Sequence, residues 1–242
     1  AYLSTDGGFS WSKVASGDYR CVVALNYSHI SERRFAIAGW SYLQVSEFGT
    51  EWNYANTPET IGVGVKVSSI ANNGRRFVAR TIPGSGNQAG IYRSDDGKTW
   101  LRNNSYSCKK VATDGSMFLA AMYIGEGIYY SKNDGLNWSA CKNPDGSTLT
   151  GVLPFDIKFA DGLWVCFGRS SAYHSYDGIV WKRCIESNHY MMGGNTAYQR
   201  TDAAIEYANG MWVAVTVSSV GGELYWSTDG IEWHRERADI TS

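Results

Sequence analysis

Six times along this chain a tryptophan follows a glycine by three residues, with a serine and an acidic or amide residue just ahead of the glycine. The copies run from Ser4 to Trp11, Ser46 to Trp52, Ser94 to Trp100, Ser131 to Trp138, Ser175 to Trp181 and Ser227 to Trp233. Their tryptophans fall 41, 48, 38, 43 and 52 residues apart. A period of roughly 40–50 residues in a strand-rich chain is the signature of a fold built blade by blade, each unit burying its apolar face against the next.

A second regularity lies between the copies. Asn73-Gly74, Asp114-Gly115, Asp161-Gly162 and Asn209-Gly210 each stand just ahead of an aromatic: Phe77, Phe118, Trp164 and Trp212. Asn-Gly and Asp-Gly supply the positive φ angles of a type I′ hairpin, so all four are expected as tight turns between antiparallel strands. Each aromatic opens an apolar run, such as Trp164-Val165-Cys166-Phe167 or Trp212-Val213-Ala214-Val215. Runs this apolar fit central strands buried on both faces. Phe35 opens the same kind of run after Ser31-Glu32-Arg33-Arg34. A third strand ends at each serine and a fourth begins at each tryptophan. The unit is therefore a four-stranded antiparallel meander.

The repeated turn has a mechanical rationale. The carboxylate accepts backbone N–H bonds inside its own turn, glycine takes the positive φ, and tryptophan packs between sheets. The motif resembles the Asp-box, or bacterial neuraminidase, repeat, S/T-x-D-x-G-x-x-W. That repeat occurs in sialidases, other glycosidases, sorting receptors, photosystem assembly factors, and phage or bacterial surface proteins. The copies at Ser4 and Ser131 have its full spacing, with Asn133 in place of the aspartate in the second. Three others lack one residue, and the copy at Ser46 has Phe48 where the aspartate belongs. The resemblance spans essentially residues 1–242 and implies a single all-β domain, a β-propeller of four-stranded blades. Six turns but five preceding strand pairs imply five complete blades and a partial one, most naturally a six-bladed ring. Either the chain is a segment of a longer one or the ring closes unconventionally.

Charge and cysteine usage narrow the function classes. A net charge of −1 provides no basic footprint for nucleic acid or acidic lipid. No apolar run approaches the ~18 residues of a spanning helix, so membrane insertion is not expected. The chain opens inside a strand, which leaves room for a leader or further domains upstream. The five cysteines, Cys21, Cys108, Cys141, Cys166 and Cys184, show no CxxC pair, disulfide framework or zinc-ligand spacing. Cys166 is read as a small core residue. The four histidines (His29, His174, His189, His234) are scattered, so neither metal nor cofactor is expected.

Loop length points to one end of the units for binding. The serine-to-tryptophan turns and the Asn/Asp-Gly hairpins are short and share one end. At the other end the connections diverge, with insertions at 81–90, 143–154 and 186–202. Variable loops on a repeated rigid scaffold are where binding usually sits. The candidate ligand-binding residues there are Trp40, Tyr42, Arg80, Tyr123, Glu126, Arg169, Tyr173, His189, Tyr190 and Glu223. Flat aromatics cover the C–H face of a sugar while Arg, Glu and Asn pair with its hydroxyls.

Sialidase chemistry is the sharpest catalytic alternative that the resemblance offers. Family members use three arginines on the substrate carboxylate, a Tyr nucleophile paired with Glu, and an Asp acid/base. They also carry an Arg-Ile-Pro motif before the first box. Here the nearest string is Arg80-Thr81-Ile82-Pro83, with an extra Thr and two boxes ahead of it. Arg20, Arg80, Arg169 and Arg200 are the available arginines and Tyr190 or Tyr198 the available nucleophiles, with no supporting spacing. The degenerate boxes resemble those of non-catalytic propellers on phage tails and bacterial surface proteins. That resemblance implies a receptor- or glycan-binding module on a virion or cell exterior, with no catalytic residues. Its partners would be a glycan or cell-surface receptor and other subunits of a larger assembly. The alternatives are a sialidase-like glycoside hydrolase and a protein-docking scaffold or assembly factor.

Overall fold

The structure, a computed structural model, describes residues 2–4, 9–14, 19–26, 33–39, 43–46, 50–54, 66–82, 89–97, 99–122, 127–169, 171–186, 200–218 and 221–236. Strands and turns account for them, with no helix among the described residues. A hairpin of β1 (Tyr2–Leu3) and β2 (Ser12–Lys13) comes first. Four four-stranded antiparallel sheets follow in chain order. They comprise β3 (Tyr19–Asn26), β4 (Arg33–Gly39), β5 (Leu43–Ser46) and β6 (Asn53–Tyr54); then β7 (Lys66–Asn72), β8 (Phe77–Ile82), β9 (Gly90–Ser94) and β10 (Leu101–Asn104). Next are β11 (Cys108–Thr113), β12 (Phe118–Met122), β13 (Ile128–Ser131) and β14 (Ser139–Ala140), and β15 (Pro154–Ala160), β16 (Leu163–Gly168), β17 (Ala172–Ser175) and β18 (Lys182–Arg183). The last sheet has five strands, the meander β20 (Arg200–Ala208), β21 (Met211–Ser218), β22 (Gly221–Ser227) and β23 (Glu232–Glu236), with β19 (Ile185–Glu186) parallel to β23. This is the expected all-β architecture of four-stranded units and a partial one. The added edge strand β19 is a feature that the sequence pattern did not reveal.

The Asn/Asp-Gly turns divide into two kinds. Asp161-Gly162 and Asn209-Gly210 have both residues at positive φ (49° and 72°, 52° and 77°) and close two-residue I′ hairpins, as expected. At Asn73-Gly74 and Asp114-Gly115 only the glycine is left-handed, so the type I′ expectation is corrected there. One extra residue separates these glycines from their aromatics. The side chain spans the longer loop instead: Asn73 Oδ1 accepts from the Arg75 and Arg76 N–H groups (3.1 and 2.9 Å). Asp114 Oδ1 accepts from Ser116 and Met117 N–H (2.7 and 2.8 Å).

The serine-to-tryptophan turns share one hydrogen-bond pattern in their four described full copies. Gly97, Gly135, Gly178 and Gly230 N–H groups donate to Ser94, Ser131, Ser175 and Ser227 Oγ at 2.8–2.9 Å. Each serine hydroxyl donates to the turn's Asp or Asn Oδ1, as Ser227 does to Asp229 at 2.9 Å. Asp177 and Asp229 Oδ1 also each accept two backbone N–H groups at 2.8–2.9 Å. Burial pushes both carboxyls up, and these bonds outweigh it, leaving them below the usual carboxylate range. In three copies the tryptophan indole N–H then donates to the glycine carbonyl: Trp100 to Gly97, Trp181 to Gly178 and Trp233 to Gly230. The copy at Ser131, one residue longer, absorbs its extra residue by placing Asp134 at φ +56°.

Contacts divide the chain into two compact units, Ala1–Phe118 with Ser131–Asn137, and Leu119–Tyr130 with Trp138–Ser242. In the first, Phe77 packs against Trp100, with ring centroids 5.7 Å apart and both buried. Ser69, just past a bulge in β7, reaches β11: its Oγ accepts from Val111 N–H (3.0 Å) and donates to Val111 O (3.3 Å). The turn at Gly135 lies so close to Val78 that an added Cβ would stand 2.7 Å from its Cγ2.

The second unit repeats these devices. Asp156, just past a bulge in β15, accepts the Ile205 N–H of β20 at 2.9 Å. A core of Leu163, Val165 and Phe167 from β16 packs against Ile205, Trp212, Ala214, Tyr225 and Trp233. Gly230 sits on β16 as Gly135 sits on β8, with an added Cβ 2.6 Å from Leu163 Cδ2. Strands β8, β12 and β16 are buried on both faces as the apolar runs require. For β21 that expectation is corrected. Trp212, Ala214 and Thr216 are buried, whereas Met211, Val215 and Val217 are exposed, the latter two by 51% and 50%. Met211, Val213 and Val215 stand at the register of Leu163, Val165 and Phe167 in β16, on the face that in β16 is covered by the next sheet. Asp202, which like Asp156 comes just past the bulge of its strand, is exposed.

Candidate functional site

In the first unit, the hairpin β9–β10 and its Ser94 turn border an open cleft of about 330 Å³. In β9, Ile91 and Tyr92 are both buried, one on each face, and Arg93 is half-buried at the cleft. Arg76 enters from the β7–β8 loop and pairs with Asp95 at 2.8 Å. Arg102, from β10, donates to Ala89 O at 2.7 Å. Leu101, 66% exposed, supplies an apolar lining. Asp96 is engaged by the Ser94 hydroxyl (3.0 Å) and Thr99 N–H (2.7 Å). Asn103 Nδ2 donates to the carbonyls of Gly135 and Leu136 (2.6 and 2.9 Å), tying β10 to the following turn.

Arg93 differs from its neighbours. Its aliphatic stem is close to Gly135, where an added Cβ would stand 3.6 and 3.7 Å from Arg93 Cγ and Cδ. Its Nε is buried and has no hydrogen-bond partner, and the same holds for Arg76 Nε. Burial, followed by the nearby Arg76 guanidinium, lowers the Arg93 pKa against the opposing effect of Asp95 and Asp134. Arg75 pairs with Asp134 at 3.2 Å, and Asn73 Nδ2 donates to the same oxygen at 2.7 Å. The arrangement is suited to holding an acceptor-rich ligand. Among the described residues no group of three or more His, Cys, Asp or Glu is placed to hold a metal.

Of the residues expected to bind ligand, four are described. Arg80 is buried in β8 and its Nη1 donates to Ser68 Oγ. Glu223 is buried in β22, where Oε2 accepts from Tyr225 OH (2.7 Å) and Oε1 pairs with Arg235. Arg169 is exposed at the β16–β17 connection, its N–H donating to Leu153 O at 3.2 Å, and Tyr173 follows half-buried in β17. Trp40, Tyr42, Tyr123, Glu126, His189 and Tyr190 lie outside the described residues.

Arg76, Arg93 and Arg102 were not singled out in the sequence, because they flank a turn read as purely structural. The available signal was four arginines (75, 76, 93 and 102) gathered around one turn in a chain of 22 basic residues.

No family model and no curated protein matches the chain. Solved structures do. An ancestral GH74 enzyme is 16% identical with a TM-score of 0.63, over 94% of this chain and 32% of that one. YCF48 from Cyanidioschyzon merolae is 12% identical with a TM-score of 0.61, over 95% and 76%. YCF48 bound to D1 peptide is 13% identical with a TM-score of 0.53, over 90% and 71%. The chain thus spans about a third of the GH74 enzyme's length. At such identities the likeness is one of fold, and the fold is a β-propeller.

Proposed function

We propose that this chain is a non-catalytic binding propeller of the Asp-box kind, recognising a glycan or glycan-bearing receptor on the exterior of a virion or cell. The observation that carries this reading is the division of labour around the Ser94 turn. The turn's own Asp96 is engaged by Ser94 and Thr99, while Arg93 beside it lines an open cleft with its buried Nε left without a hydrogen-bond partner. Acids that hold turns and a half-buried cation at an open cleft describe a scaffold presenting a binding surface. A carbohydrate fits a small cleft of polar groups around an exposed apolar side chain.

A glycan array probed with the purified chain, with Arg102→Gln and Tyr190→Ala alongside, tests this. Binding lost in Arg102→Gln would place the sugar in the cleft, and loss in Tyr190→Ala would place it on the longest loop. A blank array from folded protein would overturn the glycan reading and favour docking of a protein segment. The fold likeness to YCF48 bound to D1 peptide supports that second reading. The likeness to a GH74 enzyme supports a third, glycoside hydrolysis, detected as reducing ends released from the glycans that bind.

A further inference from the structure

We propose that the Arg93 cleft is an oxyanion site, taking the carboxylate or sulfate of an acidic saccharide on the Arg93 guanidinium. This rests on the glycan-binding reading above and specifies its ligand class.

The cleft's charges are largely committed. Asp95 is paired with Arg76, Asp96 is held in its turn, Arg102 is bound to Ala89 O, and Asp134 is shared by Arg75 and Asn73. Arg93 is half-buried, its Nε has no hydrogen-bond partner, and no ion pair of its guanidinium is found among the described residues, the charges of Asp95 and Asp134 acting on it without one. A partly desolvated cation without an acceptor is costly, and an incoming anion relieves that cost. The relief belongs to the bound state and so contributes directly to affinity.

Geometry favours an oxyanion over a lone hydroxyl. A guanidinium presents parallel N–H groups that match the two oxygens of a carboxylate or sulfate. The Arg93 stem is backed by Gly135, so its head is held in place before the ligand arrives and loses little freedom on binding. Volume and lining favour a sugar as the carrier. About 330 Å³ is at the small end of ligand sites, and exposed Leu101 offers an apolar face to ring C–H groups.

The test is calorimetric titration of the whole chain with N-acetylglucosamine 6-sulfate, glucuronic acid, neutral N-acetylglucosamine and inorganic sulfate. Variants are Arg93→Gln, Arg93→Lys and, as a control at an exposed cation of the other unit, Lys182→Gln. The expected result is that at least one acidic sugar binds at least about tenfold more tightly than the neutral sugar and than sulfate alone. Arg93→Gln loses that preference, Arg93→Lys keeps part of it, and Lys182→Gln is unchanged. The thermal midpoint of Arg93→Gln stays at or above that of the parent, because an arginine without an acceptor is not supporting the fold. Equal binding of acidic and neutral sugars, or binding undiminished in Arg93→Gln, overturns the proposal. Sulfate binding as tightly as the sugars overturns the saccharide assignment and leaves a free-anion site. An array positive only for neutral glycans would sink the oxyanion site while the glycan-binding reading stands; an array blank for all glycans, acidic ones included, sinks both.

Discussion

Cys184 Sγ lies 3.5 Å from the carbonyl oxygen of Gly230, 46 residues along the chain. Cys141 Sγ makes the same approach to Gly178 at 3.2 Å, and Asn103 Nδ2 to Gly135 at 2.6 Å. Each of these residues stands three positions after a repeat tryptophan, and each carbonyl belongs to the glycine of the next repeat. Glycine is required at all three turns because φ is positive, and at Gly135 and Gly230 also because the backbone lies against the neighbouring strand. The cysteines are therefore links between successive repeats as well as core filling.

Substitutions at this link should separate its components. Gly230→Ala places a Cβ 2.6 Å from Leu163 Cδ2 at φ +71°, and is expected to cost at least about 2 kcal/mol. Trp233→Phe keeps the edge contact with Phe167 (4.6 Å) but leaves the Gly230 carbonyl without its indole donor, a loss of about 1–2 kcal/mol. Trp233→Ala should cost about 3–5 kcal/mol. Urea unfolding of the three variants checks the order. Trp233→Phe costing as much as Trp233→Ala would refute the partition.

The two central strands of the second unit should respond differently to the same change. Val165→Asp buries a charge in a fully covered position and is expected to prevent stable folding, at about 4 kcal/mol or more. Val215→Asp, on the open face of β21, should change stability by no more than about 0.5 kcal/mol. Thermal melts decide this. A strongly destabilised Val215→Asp would show that the β21 face is covered in solution.

His174 should make stability fall in mild acid. Burial, and then Lys182, hold its pKa below the ordinary value of 6.5 against Asp229, and its Nδ1 is 3.5 Å from Cys184 Sγ. With the folded pKa depressed, the unfolded chain binds a proton first as pH falls. The neutral form's contribution is full above pH 6.5, shrinks below it, and reaches its floor once pH is under the folded value. Melting temperatures from pH 7.5 to 5 should decline, and His174→Gln should flatten the decline in that window. An unchanged slope in the variant would assign the effect elsewhere.

Three of the described thiols should be inert in the native state. Cys108 and Cys141 are pushed up to about 12 by burial, and Cys166 is raised well above its usual value by burial and nearby Asp156. The thiolate is the reacting form, so iodoacetamide at pH 8 should leave these three unmodified until denaturant is added. Peptide mass mapping reads the outcome. Modification of Cys141 in folded protein would mean that its link to Gly178 opens readily.

Much of the repeat was legible because its bonds are local. Ser94, Asp96, Gly97 and Trp100 satisfy one another within seven residues, so composition and spacing alone imply the turn. One extra residue before the aromatic separates the longer loop at Asn73-Gly74 from the two-residue hairpin at Asp161-Gly162, a difference that reading all four as type I′ hairpins missed. The candidate site was not legible in the same way. Arg80 and Glu223 carry the right chemistry for a ligand but lie in strands, where Ser68, Tyr225 and Arg235 engage them.

The amino-acid sequence by itself determined the order of the meander strands, the position of the repeated turns and the all-β class. Those features rest on backbone conformation and on hydrogen bonds that close over a few residues. Only the tertiary structure decided that Cys184 reaches Gly230, that Asp156 holds β20, and that Arg93 lacks an acceptor while Arg76 has one. It alone decided that β16 is covered on both faces and β21 on one, although their apolar runs read alike. The physical reason is that these outcomes depend on what a neighbouring sheet, forty or more residues away in the chain, brings to the same point in space.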